Sequence, residues 1–170
     1  RANSTLGQAA IQSELNHLLA SSSDTIQRLR SLWVLHGIGE LTAKRLAELL
    51  RDPDEHLRAW AIQLLCENKR PSGAVLDEFL RLAKSDESPV IRLYLASAMQ
   101  RLPLVKRVPV LTALLARAED ATDANLPLMY WYATEPVVAA DNKAAVQLLA
   151  ACKLPKVRQF ITRRMATKER

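Results

Sequence analysis

The 170-residue sequence has few of the residues that interrupt or cross-link a chain: four glycines, eight prolines and two cysteines. It also lacks runs of Val, Ile, Thr and aromatic residues with a period of two, which argues against β-strands. No uncharged run is long enough to cross a bilayer, so we expect no membrane span in this segment. Leu and Ala dominate a composition that is 49% hydrophobic. The sequence therefore predicts an all-α protein with ample material for a core.

Patterns typical of catalysis and metal binding are missing as well. The only histidines are His17, His36 and His56, and they form no pair with the spacing of metal ligands on a helix. No Cys-x-x-Cys, glycine-rich phosphate loop or nucleophile elbow occurs. Glu55 and His56 are adjacent, so on a helix they would point to different faces and make a poor acid–base pair. We therefore expect no catalytic residue, metal or cofactor here.

What the sequence does contain is a repeat. Asp52 is followed by Arg58 six positions later, in the stretch DPDEHLR. The same spacing recurs in Asp24 with Arg30 and in Asp86 with Arg92, and Arg158 falls where a further copy would lie. Successive arginines are 28, 34 and 66 residues apart, and 66 is twice 33. Periods of roughly 30 to 40 residues with two helices each are typical of α-solenoids, so we expect a right-handed α-α superhelix.

Helical periodicity and turn signals divide the chain into five hairpins within one domain, 1–170. The approximate hairpins are 5–37, 40–67, 72–102, 105–134 and 137–168. Asp24 and Ser88 are expected to cap helices, with Pro89 in a first helical position. Gly37 and Gly39 should end the second helix.

The prolines and the acidic turn set the remaining boundaries. Pro109 should bend its helix or delay its start to about Val108. Pro136 should end or restart a helix, and residues 119–123 should be an acidic linker. Cys66 and Cys152 fall in different hairpins and should be buried, unbridged thiols. Because the first residue is Arg, we expect the chain to be a segment of a longer protein.

The recurring acid and arginine are expected to be structural. An acid just before a helix can accept hydrogen bonds from its unsatisfied N–H groups and interact favourably with its dipole. An arginine one turn later can bond carboxylates or carbonyls of its own or a neighbouring turn, so that stacked copies form a ladder. The alternative, a phosphate-binding track, is disfavoured by the acids beside these arginines.

This pattern resembles that of HEAT repeats and covers residues 21–103 well. On that resemblance, the ladder consists of Asp24, Arg30, Asp52, Arg58, Asp86, Arg92 and, beyond that range, Arg158. The later repeats depart from the pattern, with Glu119 and Asn125 in one and Cys152 beside Arg158 in the other.

Two segments carry a narrower resemblance: LRSLWVLHGIG at 29–39 and PLMYWYATEP at 127–136. They are similar to the helical-repeat region of planctomycete-type membrane-bound dehydrogenase/cytochrome c fusion proteins. In that family the repeats lie between a dehydrogenase-like β-propeller and a cytochrome c domain with a CxxCH haem site, neither of whose motifs occurs here. The resemblance implies a non-catalytic connecting domain that contacts proteins or neighbouring domains, in an exported or periplasmic protein.

Two surface features bear on partners. Tyr130, Trp131 and Tyr132 are consecutive and cannot all face one core, so at least one should reach a surface or groove. They are the candidate interface residues, and the alternative is that they pack against neighbouring helices, which is the more common fate of such aromatic residues. The net charge is +6, and the sequence from Lys143 onward contains eight basic residues and a single acidic one, Glu169. The favoured interpretation of this basic segment is the polar, solvent-facing last helix that the end of a repeat array needs. The alternative is a DNA-binding domain that resembles HEAT-like alkylpurine glycosylases, in which cations would converge on a concave cleft. A third candidate, a HEAT-like chromophore lyase, has no distinctive residue to support it.

Overall fold

The computed structural model describes the backbone of residues 2–167 and the side chains of residues 7–167. Over that range the chain forms ten α-helices and one 3-10 helix, with no strand. The α-helices are α1 (Ala2–Ser21), α2 (Thr25–Gly37), α3 (Ala43–Leu49), α4 (Glu55–Leu65), α5 (Gly73–Ser85), α6 (Pro89–Met99), α7 (Leu104–Leu115), α8 (Leu126–Ala140), α9 (Asn142–Ala151) and α10 (Pro155–Thr167). The 3-10 helix, Ala118–Thr122, connects α7 to α8. The chain divides into two compact units, Arg1–Ala61 and Ile62–Arg170.

The first unit contains α1 to α3 and the start of α4. α1 packs along α2, and the core includes fully buried leucines at 19, 32, 35, 50 and 57. Trp33 of α2 contacts Trp60 of α4 edge to face, with ring centroids 5.0 Å apart. Trp33 is 42% exposed, so this aromatic pair lies at the margin of the unit's core.

The second unit is built from helices that pack mainly on their neighbours along the chain. α5 packs on α6 and α7, α6 on α7 and α8, α7 on α8 and α9, and α8 on α9 and α10. Stacked hairpins bury their apolar faces in this nearest-neighbour manner, whereas a closed bundle would also join its first and last helices. The packing within this unit is therefore that of a helical repeat.

Local signals in the sequence place several helix ends. Asp24 caps α2, since its side chain accepts from the N–H of Ile26 at 2.8 Å. Ser88 caps α6 by accepting from the N–H groups of Val90 and Ile91, and Pro89 occupies the first turn, as predicted. α2 ends through Gly39, whose φ of +79° suits glycine. The N–H of Glu40 then donates to the carbonyl of Leu35 at 2.9 Å, which satisfies a terminal acceptor.

Two prolines lie inside helices. α7 begins at Leu104, ahead of Pro109, and α8 continues through Pro136 to Ala140. Because proline has no N–H, the carbonyls of Val105 and Tyr132 lose their helical donors. Val105 and Tyr132 are 79% and 53% exposed, so both breaks in the helical hydrogen bonding fall at residues outside the core. The expectation that Pro136 ends or restarts the helix is therefore wrong.

The hairpin that follows begins later than the sequence suggests. α9 starts at Asn142, and the predicted hairpin starts at 137. The carboxylate of Asp141 caps α9 by accepting from the N–H groups of Lys143 and Ala144, at 2.9 and 3.0 Å. The capping acid, rather than the proline, sets this boundary.

Candidate interaction surfaces

Three of the four recurring arginines make the same backbone contact. In each, the Nη1 atom of the arginine donates to the backbone carbonyl of the residue six positions earlier. The three bonds join Arg58 to Asp52 (2.8 Å), Arg92 to Asp86 (3.2 Å) and Arg158 to Cys152 (2.9 Å). The spacing of six therefore reflects a guanidinium that closes onto the preceding turn. Because the acceptor is a backbone carbonyl, Cys152 can stand where the other copies have an acid.

The recurring acids fasten the turns themselves. Each carboxylate accepts a hydrogen bond from the backbone N–H of the residue two positions later. Asp24 accepts from Ile26 (2.8 Å), Asp52 from Asp54 (2.9 Å) and Asp86 from Ser88 (3.0 Å). Short polar side chains stabilise turns and helix starts through such local bonds. The acid and arginine of one copy thus secure the same turn by different groups.

In the first unit, Arg28 connects one hairpin to the turn of the next. Its Nη1 and Nη2 donate to the two carboxylate oxygens of Asp52 at 3.0 and 2.5 Å, and its Nε donates to the carbonyl of Leu19 at 2.9 Å. Arg30, which the sequence pattern places in the ladder, is exposed on α2. Beside this link, the hydroxyl of Thr25 donates to the Asp54 carboxylate.

In the second unit, the corresponding link is buried and includes a third residue. Arg92 donates to Asp120 through Nε at 2.8 Å and through Nη2 at 2.6 Å. The hydroxyl of Tyr130 donates to the same carboxylate at 2.6 Å. Arg92, Asp120 and Tyr130 are 5%, 2% and 0% exposed, and we call them the buried triad. Asp120 belongs to the segment expected to be an acidic linker, which is instead a 3-10 helix that carries a core residue.

Arg117 adds a second connection between the same hairpins. Its Nε donates to the carbonyl of Ala83 at 3.1 Å, and its Nη2 donates to that of Asp86 at 2.9 Å. Its Nη1 pairs with Glu119 at 3.0 Å. The carbonyl of Asp86, in the turn before α6, therefore accepts hydrogen bonds from Arg92 of its own hairpin and from Arg117 of the next hairpin.

Burial shapes the protonation of the triad. Burial, followed by the hydrogen bond to Asp120, raises the pKa of the Tyr130 hydroxyl well above its usual value of 10.0. Burial alone would lower the pKa of Arg92, but the hydrogen bond and charge of Asp120 raise it. The triad therefore holds a neutral phenol and an ion pair at neutral pH.

The three consecutive aromatic residues of α8 have different environments. Tyr130 is in the core, so it is unavailable to a partner. Trp131 is half-buried and packs against Phe160 of α10, with ring centroids 5.4 Å apart. Tyr132 is 53% exposed. Of the candidate interface residues, Tyr132 is the one that presents most of its side chain to solvent.

Sequence reasoning missed Arg28 and Asp120. The useful signal was an arginine followed by an acid about one hairpin later, because Arg28 precedes Asp52 by 24 residues and Arg92 precedes Asp120 by 28. The spacing of six within a copy drew attention to contacts inside one turn. It contained no information on the contacts between hairpins.

Groups of metal ligands and membrane-spanning helices are both absent from the part of the chain that the structure describes. There, His, Cys, Asp and Glu side chains do not gather in any group of three or more that could hold a metal ion. Between residues 2 and 167, no helix combines the length and apolar character needed to span a membrane.

Comparisons with known proteins agree with the repeat architecture. A family model described as HEAT repeats matches residues 42–125. Neither curated proteins nor solved structures give a match. The matched segment includes Arg58 and Arg92 and ends at Asn125, immediately before α8. Together with the helical hairpins, this match supports the predicted fold class, an all-α helical repeat.

Proposed function

We infer that this chain is a non-catalytic HEAT-repeat scaffold that holds partner proteins or neighbouring domains. HEAT repeats generally mediate protein interactions, and their helical folds are typically non-catalytic. The observation that carries the proposal is the separation of the aromatic residues on α8. Tyr130 secures the core through Asp120, whereas Tyr132, two positions later, is more than half exposed.

The exposed part of α8 is suited to a protein contact. Leu128, Met129 and Pro136 are partly exposed and fall near Tyr132 on a helix, because they lie three or four residues from it. Tyrosine supplies a large contact area at a small cost in side-chain entropy and is enriched in interface hot spots. We define Leu128, Met129, Tyr132 and Pro136 as the α8 face and propose that it contacts a partner.

Photocrosslinking in the full-length gene product tests the α8 face. A photoreactive phenylalanine analogue at position 132 is expected to form an adduct with another domain or protein. The matched control places the same residue at Val146, which is 57% exposed on α9. Equal adducts from both positions, or none from 132, would contradict the proposed interface.

The dehydrogenase-like setting is a further part of the proposal. Segment 29–39 includes most of α2 and its terminal turn, and segment 127–136 includes most of α8, so the resemblance falls on two helices of different hairpins. The gene sequence around this segment tests it directly. A propeller pattern upstream and a CxxCH motif downstream are expected, and the absence of both would remove the dehydrogenase assignment.

DNA binding is the competing function. α10 carries Lys156, Arg158 and Arg163 at exposed positions, and such cations can contact phosphates. Electrophoretic mobility shifts with duplex DNA at several salt concentrations separate the two functions. The DNA-binding alternative requires an affinity that falls steeply as salt rises, and an absence of binding at low salt would remove it.

A further inference from the structure

Two loops of the second unit enclose an open groove. One loop joins α4 to α5 and contributes Asn68, Lys69 and Arg70, and the other joins α6 to α7 and contributes Gln100 and Arg101. Arg107 of α7 also lines the space, which has a volume of about 700 Å³. We call it the loop groove. Its location is distinct from the turns that hold the buried triad.

The charge of the loop groove has one sign. Four of its lining residues are cationic and none is acidic, and Glu67, the adjacent acid in sequence, does not line it. Lys69, Arg70 and Arg101 are exposed. Among the described residues, these three form no ion pair, unlike the arginines at the turns. The groove therefore presents unneutralised positive charge to solvent.

Backbone carbonyls fix Arg107 within this groove, and no carboxylate of the described residues bonds to it. It is 8% exposed, and its guanidinium donates to the carbonyls of Leu102 (2.8 Å), Gln100 (3.1 Å) and Ala133 (3.3 Å). Burial lowers the pKa of Arg107. A guanidinium has five N–H groups, so these three bonds leave donors for a further acceptor. A buried charge without a counter-ion is costly, and a bound anion would offset that cost.

The backbone of the first loop is also unusual. Lys69 has φ of +56°, in the left-handed region that residues with a Cβ seldom adopt. Its N–H donates to the carbonyl of Cys66 at 3.0 Å, which closes the turn. Strained residues of this kind are found disproportionately at binding sites, where the strain orients a side chain. Here the strained residue is one of the groove cations.

We propose that the loop groove binds an acidic segment of a partner protein, with several Asp or Glu carboxylates. This rests on the proposed function, since it names the chemistry of a segment that the scaffold holds. Guanidinium groups match carboxylates in a bidentate geometry, and Asn68 and Gln100 supply side-chain amides that can bond a peptide backbone. The lining residues include no aromatic ring on which a base could stack, which favours a peptide over single-stranded nucleic acid.

Fluorescence anisotropy of the full 170-residue chain with a labelled peptide of alternating Asp and Glu tests the proposal. The isosteric Asn/Gln peptide should bind at least ten-fold more weakly, because it lacks the charges. The double variant Lys69→Gln, Arg101→Gln should bind the acidic peptide about ten-fold or more weakly than the parent chain does. The control double variant, Lys156→Gln and Arg163→Gln, removes the same charge from exposed positions on α10 and should change binding less than about two-fold.

Several outcomes would overturn the groove. If the two double variants lose peptide affinity equally, the attraction is unspecific. If an oligonucleotide of equal charge competes efficiently with the peptide, the groove is a nucleic-acid site. Far-UV circular dichroism and thermal melting confirm that both variants fold. Adducts at position 132 without peptide binding would reject the loop groove and retain the scaffold. Peptide binding without those adducts would reject only the α8 face.

Discussion

The two units use the same device to join a hairpin to the next turn, but at different depths. In the first unit, the side chains of Arg28 and Asp52 are 13% and 9% exposed. In the second unit, those of Arg92 and Asp120 are 6% and 3% exposed. Tyr130 also donates to the buried pair. A deeper ion pair gains more from its hydrogen bonds and loses more when one partner is removed. The comparison indicates that the second link is more sensitive to substitution, though the contact is chemically the same.

The largest expected effect is that of Asp120→Ala. It leaves the Arg92 guanidinium and the Tyr130 hydroxyl in the core without their acceptor, so we expect the free energy of unfolding to fall by about 4 kcal/mol. Asp52→Ala should cost about half as much, because its partner is nearer to solvent.

Each unit carries its own tryptophan probes for this measurement. Trp131 reports on the second unit in a Trp33→Phe, Trp60→Phe background, and the Trp33–Trp60 pair reports on the first in a Trp131→Phe background. Urea unfolding followed by fluorescence then measures each cost in its own unit. Equal costs for Asp120→Ala and Asp52→Ala would contradict the proposed difference.

The second prediction separates Arg28 from Arg30. Arg28→Ala removes a bidentate pair and a bond to the Leu19 carbonyl, so it should destabilise the first unit by about 2 kcal/mol. Arg30→Ala changes an exposed residue and should stay within about 0.5 kcal/mol. Urea unfolding in the Trp131→Phe background provides the measurement. A larger loss for Arg30→Ala would restore the ladder position that the sequence pattern suggests.

The contrast between these two arginines shows what the sequence can predict. Helix existence, the caps at Asp24 and Ser88 and the repeat period depend on contacts within a few residues, and all three could be predicted. The partner of Arg28 depends on how one helix is rotated against the turn of the following hairpin. No local pattern contains that rotation, and the exposed Arg30 fits the spacing equally well.

The buried triad was missed for a related reason. Asp120 lies in a run of polar residues that is typical of a linker, and a charged residue is rarely expected in a core. It is buried because Arg92 and Tyr130 supply its donors from two different helices. The spacing of Arg92 and Asp120 could have suggested the pair, but the convergence of all three residues depends on the packing of α6 against α8, which the sequence does not contain.

The third prediction tests the contribution of the phenol to the triad. Tyr130→Phe keeps the ring and removes the hydroxyl that donates to Asp120, so the second unit should lose about 1.5 kcal/mol at neutral pH. Urea unfolding with Trp131 as the probe measures this loss. Tyr132→Phe is the matched control, since its ring is exposed, and should be within about 0.5 kcal/mol of the parent. Equal losses from the two variants would show that the triad gains nothing from its third member.

The smallest expected effect is the pH dependence of that same hydroxyl. Tyr130 in the unfolded chain ionises near its ordinary pKa of 10.0, whereas in the folded unit burial and Asp120 raise the pKa. Between the two values the folded state binds the additional proton, so the stabilisation is fully present below pH 10.0 and declines as pH rises. At one pH unit above the ordinary pKa, the parent should have lost about 1.4 kcal/mol relative to Tyr130→Phe. Unfolding free energies of both proteins across this alkaline range give the difference directly, with the other tyrosines and lysines common to both. A difference that stays constant with pH would show that Tyr130 ionises alike in both states, and it would contradict the claim that burial and Asp120 raise the pKa of its hydroxyl.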